Sequence, residues 1–293
     1  MKSFKGAYTA LITPFTQDGQ LDEEGLRHLL HRQIEETIDG IVLLGTTGET
    51  PTLAGPEKKR ILQIAAEICK GKTSFIVGTG TYSTRETIEN TLSAEKAGAD
   101  AVLIVTPYYN KPTQEGLYLH FKTIAETSAL PVIIYNIEGR SCLNLETDTL
   151  KRLLDIPSIV GIKESSGNIS QISDVIGLVR ARRPEFNVLS GDDTLTLPLM
   201  ALGGDGIISV ISNLMPAEVK SLVEAISSGD FALAREIHFK LMPFIKLAFL
   251  ETNPIPIKQL LQLYGLPSGQ CRLPLSQLKE ENIKQIKSLI YFS

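Results

Sequence analysis

Residues 101–136 read AVLIVTPYYNKPTQEGLYLHFKTIAETSALPVIIYN. The stretch opens on Ala101–Thr106 and closes on Pro131–Asn136, two runs that are rich in β-branched residues and apolar almost without a break. Continuous hydrophobicity, as opposed to alternation, marks strands covered on both faces, which is the habit of a parallel sheet. Between them Gln114–Thr127 has the spacing of an amphipathic helix, the crossover that two parallel strands require. The same unit recurs in both directions. Further strand-like runs are Ala7–Thr13, Gly40–Gly45, Ser74–Gly78, Ile159–Lys163, Asn187–Gly191 and Gly206–Val210. Helical patterns lie between them, as in Leu21–Thr37, with Leu26, Leu29, Leu30 and Ile34 on one face, and Pro56–Lys70, with Ile61, Leu62, Ala65 and Ile68. Thr84–Ala97, Leu145–Leu154 and Ile169–Arg182 behave alike, and Ser83 with Glu86 three residues later reads as a helix cap.

Eight strand–helix alternations, at roughly 20–33 residue intervals, are what an α/β fold of the (β/α)8 TIM-barrel kind needs. An open doubly wound sheet is the rival, and periodicity alone does not choose between them. The catalytic barrel is expected over residues 1–228. Residues 229–293 read as a C-terminal helical extension with helices over Phe231–Leu250, Ile257–Tyr264 and Leu275–Tyr291, punctuated by Pro254, Pro256, Pro267 and Pro274.

Composition narrows the function. The 293 residues are 43% hydrophobic and 21% charged, enough apolar material for a sizeable core, and a net charge of −4 lacks the basic footprint of a nucleic-acid binder. No apolar run approaches the ~20 residues of a bilayer span, and Met1–Ala7 lacks the apolar stretch and cleavage site of a secretory leader. Cys69, Cys142 and Cys271 form an odd, scattered set without C-x-x-C spacing, which speaks against disulfides or zinc and for a reducing, cytoplasmic location. His28, His31, His120 and His238 all fall in helical stretches with no carboxylate cluster nearby, so no metal is expected. Nucleophile elbows, phosphate loops and complete dinucleotide fingerprints are missing from the sequence.

In parallel α/β folds, reactive groups gather where strands end. Those positions here carry Gly45-Thr46-Thr47-Gly48-Glu49, Thr106-Pro107-Tyr108-Tyr109-Asn110, Tyr135-Asn136, Lys163-Glu164-Ser165-Ser166-Gly167 and Ser190-Gly191-Asp192-Asp193. Lys163 is the unusual member, because it closes an apolar strand at the rim of a desolvated interior. Desolvation disfavours an ammonium and favours the neutral amine that condenses with a carbonyl. The plainer alternative is a lysine paired with a carboxylate or snorkelling outward. Tyr135, at the neighbouring strand end, is placed to move protons for a Schiff base, or else is a buried core tyrosine. The Thr46-Thr47 pair between glycines can hold a carboxylate, although glycine-rich turns also arise because the chain must bend.

Together GTTGE (45–49), TPYYNKPTQEG (106–116), YN (135–136), GIKESSGN (161–168), SGDD (190–193), GGDGIISV (203–210) and NPIPIK (253–258) closely resemble the dihydrodipicolinate synthase / N-acetylneuraminate lyase family of class I aldolases, in order and along nearly the whole chain. The resemblance implies a (β/α)8 barrel with a helical extension, assembled as a homotetramer of tight dimers and needing no cofactor. It implies that Lys163 forms an imine with pyruvate and that Tyr135, Thr46 and Tyr109 relay protons, Tyr109 reaching into the partner's site. Thr47 and the backbone of Ile208 would contact pyruvate, Gly191 is a further substrate-binding position, and Arg140 would hold the carboxylate of the second substrate. The synthase branch is matched best, which implies condensation of pyruvate with L-aspartate-4-semialdehyde to 4-hydroxy-tetrahydrodipicolinate, towards diaminopimelate and lysine. Other pyruvate-dependent aldolases, acting on sialic acid or 2-keto-3-deoxy sugar acids, are the alternative, and a non-catalytic acid-binding barrel is the remote one.

Two departures stand out. Synthases of this kind have a YNVPSR-like loop, whereas this chain reads Tyr135-Asn136-Ile137-Glu138-Gly139-Arg140, and loss of the proline is expected to reposition the arginine beside a new anion. Glu86 and Tyr108 match positions lining the lysine feedback site, but Gly55, Lys58 and Tyr82 do not, so feedback inhibition is expected to be weak or absent.

Overall fold

Short β-branched runs hemmed in by glycine and proline fold here into eight parallel strands, in a computed structural model describing residues 3–292. They are β1 (Gly6–Ala10), β2 (Gly40–Leu43), β3 (Ser74–Gly78), β4 (Ala101–Val105), β5 (Val132–Asn136), β6 (Ile159–Glu164), β7 (Asn187–Ser190) and β8 (Gly206–Ser209). Every strand pairs with its successor, and β8 pairs back onto β1 through Gly6↔Gly206 to Thr9↔Ser209. The sheet is a closed barrel, which decides against the doubly wound alternative.

The crossovers are α1 (Glu23–Glu35), α2 (Gly55–Cys69), α3 (Thr84–Lys96), α4 (Gln114–Thr127), the short α5 (Glu138–Ser141), α6 (Thr147–Leu153), α7 (Ile169–Arg182), the short α8 (Thr196–Ala201) and α9 (Pro216–Ser227). The expected Ser83 cap is in place, with its hydroxyl accepting from the Glu86 amide at 3.3 Å. Beyond α9 come α10 (Phe231–Ala248), α11 (Ile255–Leu263) and α12 (Glu280–Phe292). α12 begins five residues later than the apolar pattern from Leu275 suggests, because residues 270–279 run as a non-helical strap across the barrel rim and Arg272 within it is committed to the barrel.

Two apolar layers result. The inner one fills the barrel with Phe4, Tyr8, Val42, Ile76, Leu103, Ile133, Tyr135, Val160, Leu189 and Ile208. The outer one lies between sheet and helices and takes in Leu241, Ile257, Leu260, Leu261 and Ile286 from the last three helices. Each buried Leu or Ile contributes about 1.5–3 kcal/mol of transfer free energy. None of the helices among the described residues is long and apolar enough to cross a membrane.

At the N-terminal end of β6, Arg183 carries out a structural task. Its Nη1 donates to the carbonyls of Leu154 (3.2 Å), Ile156 (3.0 Å) and Ile159 (2.8 Å), and Nη2 to that of Pro157 (2.8 Å). Arg183→Met keeps the stem but strips the donors from all four acceptors, so unfolding free energy should fall by about 2–4 kcal/mol. Denaturant titration checks this. Because Lys163 lies towards the other end of the same strand, the Michaelis constants should not move.

Candidate active site

Register places Lys163. Ile133 pairs with Gly161 and Tyr135 with Lys163, so these residues share one face of the sheet, and Ile133 and Tyr135 belong to the inner layer. Lys163 therefore points into the barrel. Its Nζ lies 4.1 Å from the centroid of the Tyr135 ring, and the residue is only 5% exposed.

Among the described residues two lysines are buried, and they differ in what they touch. Lys258 donates to Glu49 Oε1 at 2.6 Å and to the Gln270 carbonyl at 3.3 Å. Burial pushes its pKa down, and the Glu49 carboxylate opposes that by favouring the charged form. Lys163 has no ion pair among the described residues. The adjacent Glu164 carboxylate is turned elsewhere, accepting from Asn136 Nδ2 at 3.2 Å and the Ser166 amide at 2.7 Å. Lys163 is thus paired with no carboxylate among the described residues, and its side chain is packed inward against the Tyr135 ring. A lysine held inside a barrel without a counter-ion contributes little to the fold by its charge.

Gly191 shapes the space around it. A Cβ at this position would sit 1.9 Å from Ser165 Oγ, 2.6 Å from Lys163 Cε and 2.9 Å from Lys163 Cγ. The lysine stem thus lies directly against the glycine, at the end of β7. Gly78 serves the opposite wall in the same manner, its missing Cβ making room for the Leu44 carbonyl at 2.1 Å.

Beyond the strand ends a cavity of about 580 Å³ opens, walled by Thr46, Val105, Tyr108, Tyr135, Arg140, Thr252 and Asn253 among others. Lys163, Thr47, Ile208 and Gly191 do not line it; Lys163 adjoins it through Tyr135. Arg140, on α5, does line it and donates from Nη1 to Thr252 Oγ1 at 3.3 Å. Ile208 lies in the inner layer on β8 and is fully buried. Tyr109 is apart from all of these: it is 92% exposed, with a left-handed φ of 70°, while its neighbour Tyr108 turns inward to pack edge-on against Tyr82. For a tyrosine that backbone costs about 1–2 kcal/mol.

The Thr46–Glu49 turn is held from outside the barrel. Asn253 Nδ2 donates to Thr47 Oγ1 at 2.9 Å, Lys258 binds Glu49 Oε1, and the Arg272 amide donates to Glu49 Oε2 at 2.9 Å. The Glu49 side chain is fully buried, and its backbone is left-handed at φ 53°. Burial, reinforced by the Glu49 carboxylate, pushes the nearby Cys271 thiol up to about 12, so that cysteine is inert as a nucleophile. Sequence reasoning marked NPIPIK without assigning it a task, because its partners lie more than 200 residues away. No group of three or more metal-ligating side chains occurs among the described residues.

Residues 3–292 match the pattern of the dihydrodipicolinate synthetase family. The chain belongs to that family. It is 57% identical over 286 residues to a 4-hydroxy-tetrahydrodipicolinate synthase of Protochlamydia amoebophila, covering 98% of this chain and 95% of the relative. Among solved structures it superposes on the dihydrodipicolinate synthase of Thermotoga maritima with a TM-score of 0.97 at 42% identity, covering 99% of both chains. It also superposes on a chloride-inhibited dihydrodipicolinate synthase of Acinetobacter baumannii complexed with pyruvate (TM-score 0.95, 39% identity, 99% and 98% covered). As a member of the dihydrodipicolinate synthetase family, the chain carries the family's barrel with the unpaired lysine inside it.

Proposed function

We propose that this protein condenses pyruvate with L-aspartate-4-semialdehyde to 4-hydroxy-tetrahydrodipicolinate, a step in diaminopimelate and lysine biosynthesis. The observation that carries the reading is Lys163, 5% exposed and free of any carboxylate, with its amine against the Tyr135 ring. The names of the relatives support the substrate pair.

The chemistry follows from the groups in place. The Lys163 amine adds to the keto carbon of pyruvate, and loss of water leaves an iminium. The iminium withdraws electrons from the methyl group, and a relay of Tyr135, Thr46 and Tyr109 of a second copy takes the proton away. The resulting enamine forms a carbon–carbon bond to the aldehyde, whose oxygen is protonated by the same relay. The amine of the second substrate then attacks the imine carbon and displaces Lys163, closing the ring. Thr47, the Ile208 backbone and the space kept open by Gly191 position pyruvate, and Arg140 takes the carboxylate of the semialdehyde. An exposed Tyr109 on a left-handed backbone fits a residue whose task lies in a neighbouring subunit, in a tight dimer within a homotetramer. Turnover with pyruvate and aspartate semialdehyde, run beside cleavage assays with sialic acid and 2-keto-3-deoxygluconate, tests the assignment. Activity only in the cleavage assays overturns it.

Regulation follows from the cavity wall. Lys58, Tyr82, Glu86 and Tyr108 line the same cavity as Tyr135, so a lysine bound there would bring its ammonium towards that of Lys58. Lysine should therefore inhibit little at physiological concentration. Strong inhibition in a lysine titration would refute this.

A further inference from the structure

We infer that Asn253, outside the barrel, is a positioning residue that fixes the direction of the Thr47 hydroxyl proton, and through it the binding of the keto acid's carboxylate. The inference rests on the proposed function, in which Thr47 contacts pyruvate.

The geometry is local. Thr47 and Asn253 are 2% and 5% exposed, and Asn253 Nδ2 donates to Thr47 Oγ1 at 2.9 Å. A hydroxyl has one proton to give and lone pairs to receive. With a lone pair engaged by the Nδ2–H, the Thr47 proton is left without an acceptor among the described residues, and Asn253 Oδ1 is left buried without a donor. In a buried site, a donor without an acceptor awaits one, and a carboxylate is the acceptor that gains most, through a charge-assisted bond. Asn253 lines the cavity and stands directly before α11, whose Lys258 grips Glu49 two residues beyond Thr47. The chain beyond the barrel therefore sets both the place of the turn and the polarity of its hydroxyl.

The order of two substitutions separates this from a bracing role. Asn253→Ala removes the donor and leaves the hydroxyl free to rotate. Asn253→Asp keeps the shape but reverses the polarity: the carboxylate accepts the Thr47 proton, turns lone pairs towards the keto acid and adds a like charge. Half-saturation by pyruvate, read from borohydride inactivation and from KM, should rise about 10-fold in Asn253→Ala. In Asn253→Asp it should rise at least about 10-fold further, with kcat at saturating pyruvate falling much less than KM rises. A bracing role predicts the reverse order, with the near-isosteric Asp the milder change and kcat and KM affected together. Equal or better pyruvate binding in Asn253→Asp than in Asn253→Ala overturns the inference. Should the Asp variant fail to fold, by circular dichroism, Asn253→Ala decides alone, and unchanged half-saturation overturns it. If the unaltered protein is not inactivated by pyruvate and borohydride, the proposed function falls and this inference with it.

Discussion

Lys163→Met should lower kcat by at least about 10⁴-fold, the scale of losing a covalent nucleophile, and should leave the protein as stable as before or more so. The two halves follow from one observation. The residue is 5% exposed, beside the inner layer, with no counter-ion among the described residues, so its charge does little for the fold, and desolvating a charge without a counter-ion costs free energy. Methionine fills similar volume without that cost. A thermal unfolding midpoint equal to or above the parent's, together with lost turnover, is the expected pair of results. A sharp drop in the midpoint would mean that the ammonium holds the barrel together through a partner, and the case for a free nucleophile would fail. The parallel change at the other buried lysine should act in the opposite way. Lys258→Met leaves the buried Glu49 carboxylate without its counter-ion, and removing one member of such a pair is strongly destabilising.

Gly191→Ala should cost about 100-fold in kcat, the penalty of misplacing a reacting atom by about 1 Å. The added methyl meets Ser165 Oγ at 1.9 Å, and the short serine side chain can rotate away. It also meets Lys163 at Cγ and Cε, and these cannot yield without swinging Nζ away from Tyr135. Ser165→Ala combined with Gly191→Ala tests that partition. Relieving the serine contact should restore little of the rate, since the lysine contact remains. Full recovery in the double variant would show that the serine, not the lysine, was displaced.

Much of the fold was legible because its determinants are local. β4, α4 and β5 follow the apolar runs and helical spacing of residues 101–136 closely, as a strand buried on both faces must be apolar throughout. Closure of the barrel was not legible, since it depends on β8 reaching β1 across the whole chain. α5 and α8, of four and six residues, are too short to show a period. Lys163 and Tyr135 stood out by their strand-end positions, and their pairing across β5 and β6 follows from the strand order. The anchoring of the Thr46–Glu49 turn by Asn253, Lys258 and Arg272 left no local signal, because each of these bonds joins residues that only the tertiary fold brings together.

Which lysine carries pyruvate decides the chemistry. Incubation with pyruvate and borohydride, followed by peptide mass spectrometry, should find one reduced three-carbon adduct, on Lys163, with Lys258 unmodified. An adduct on Lys258, or none on either, would contradict the account.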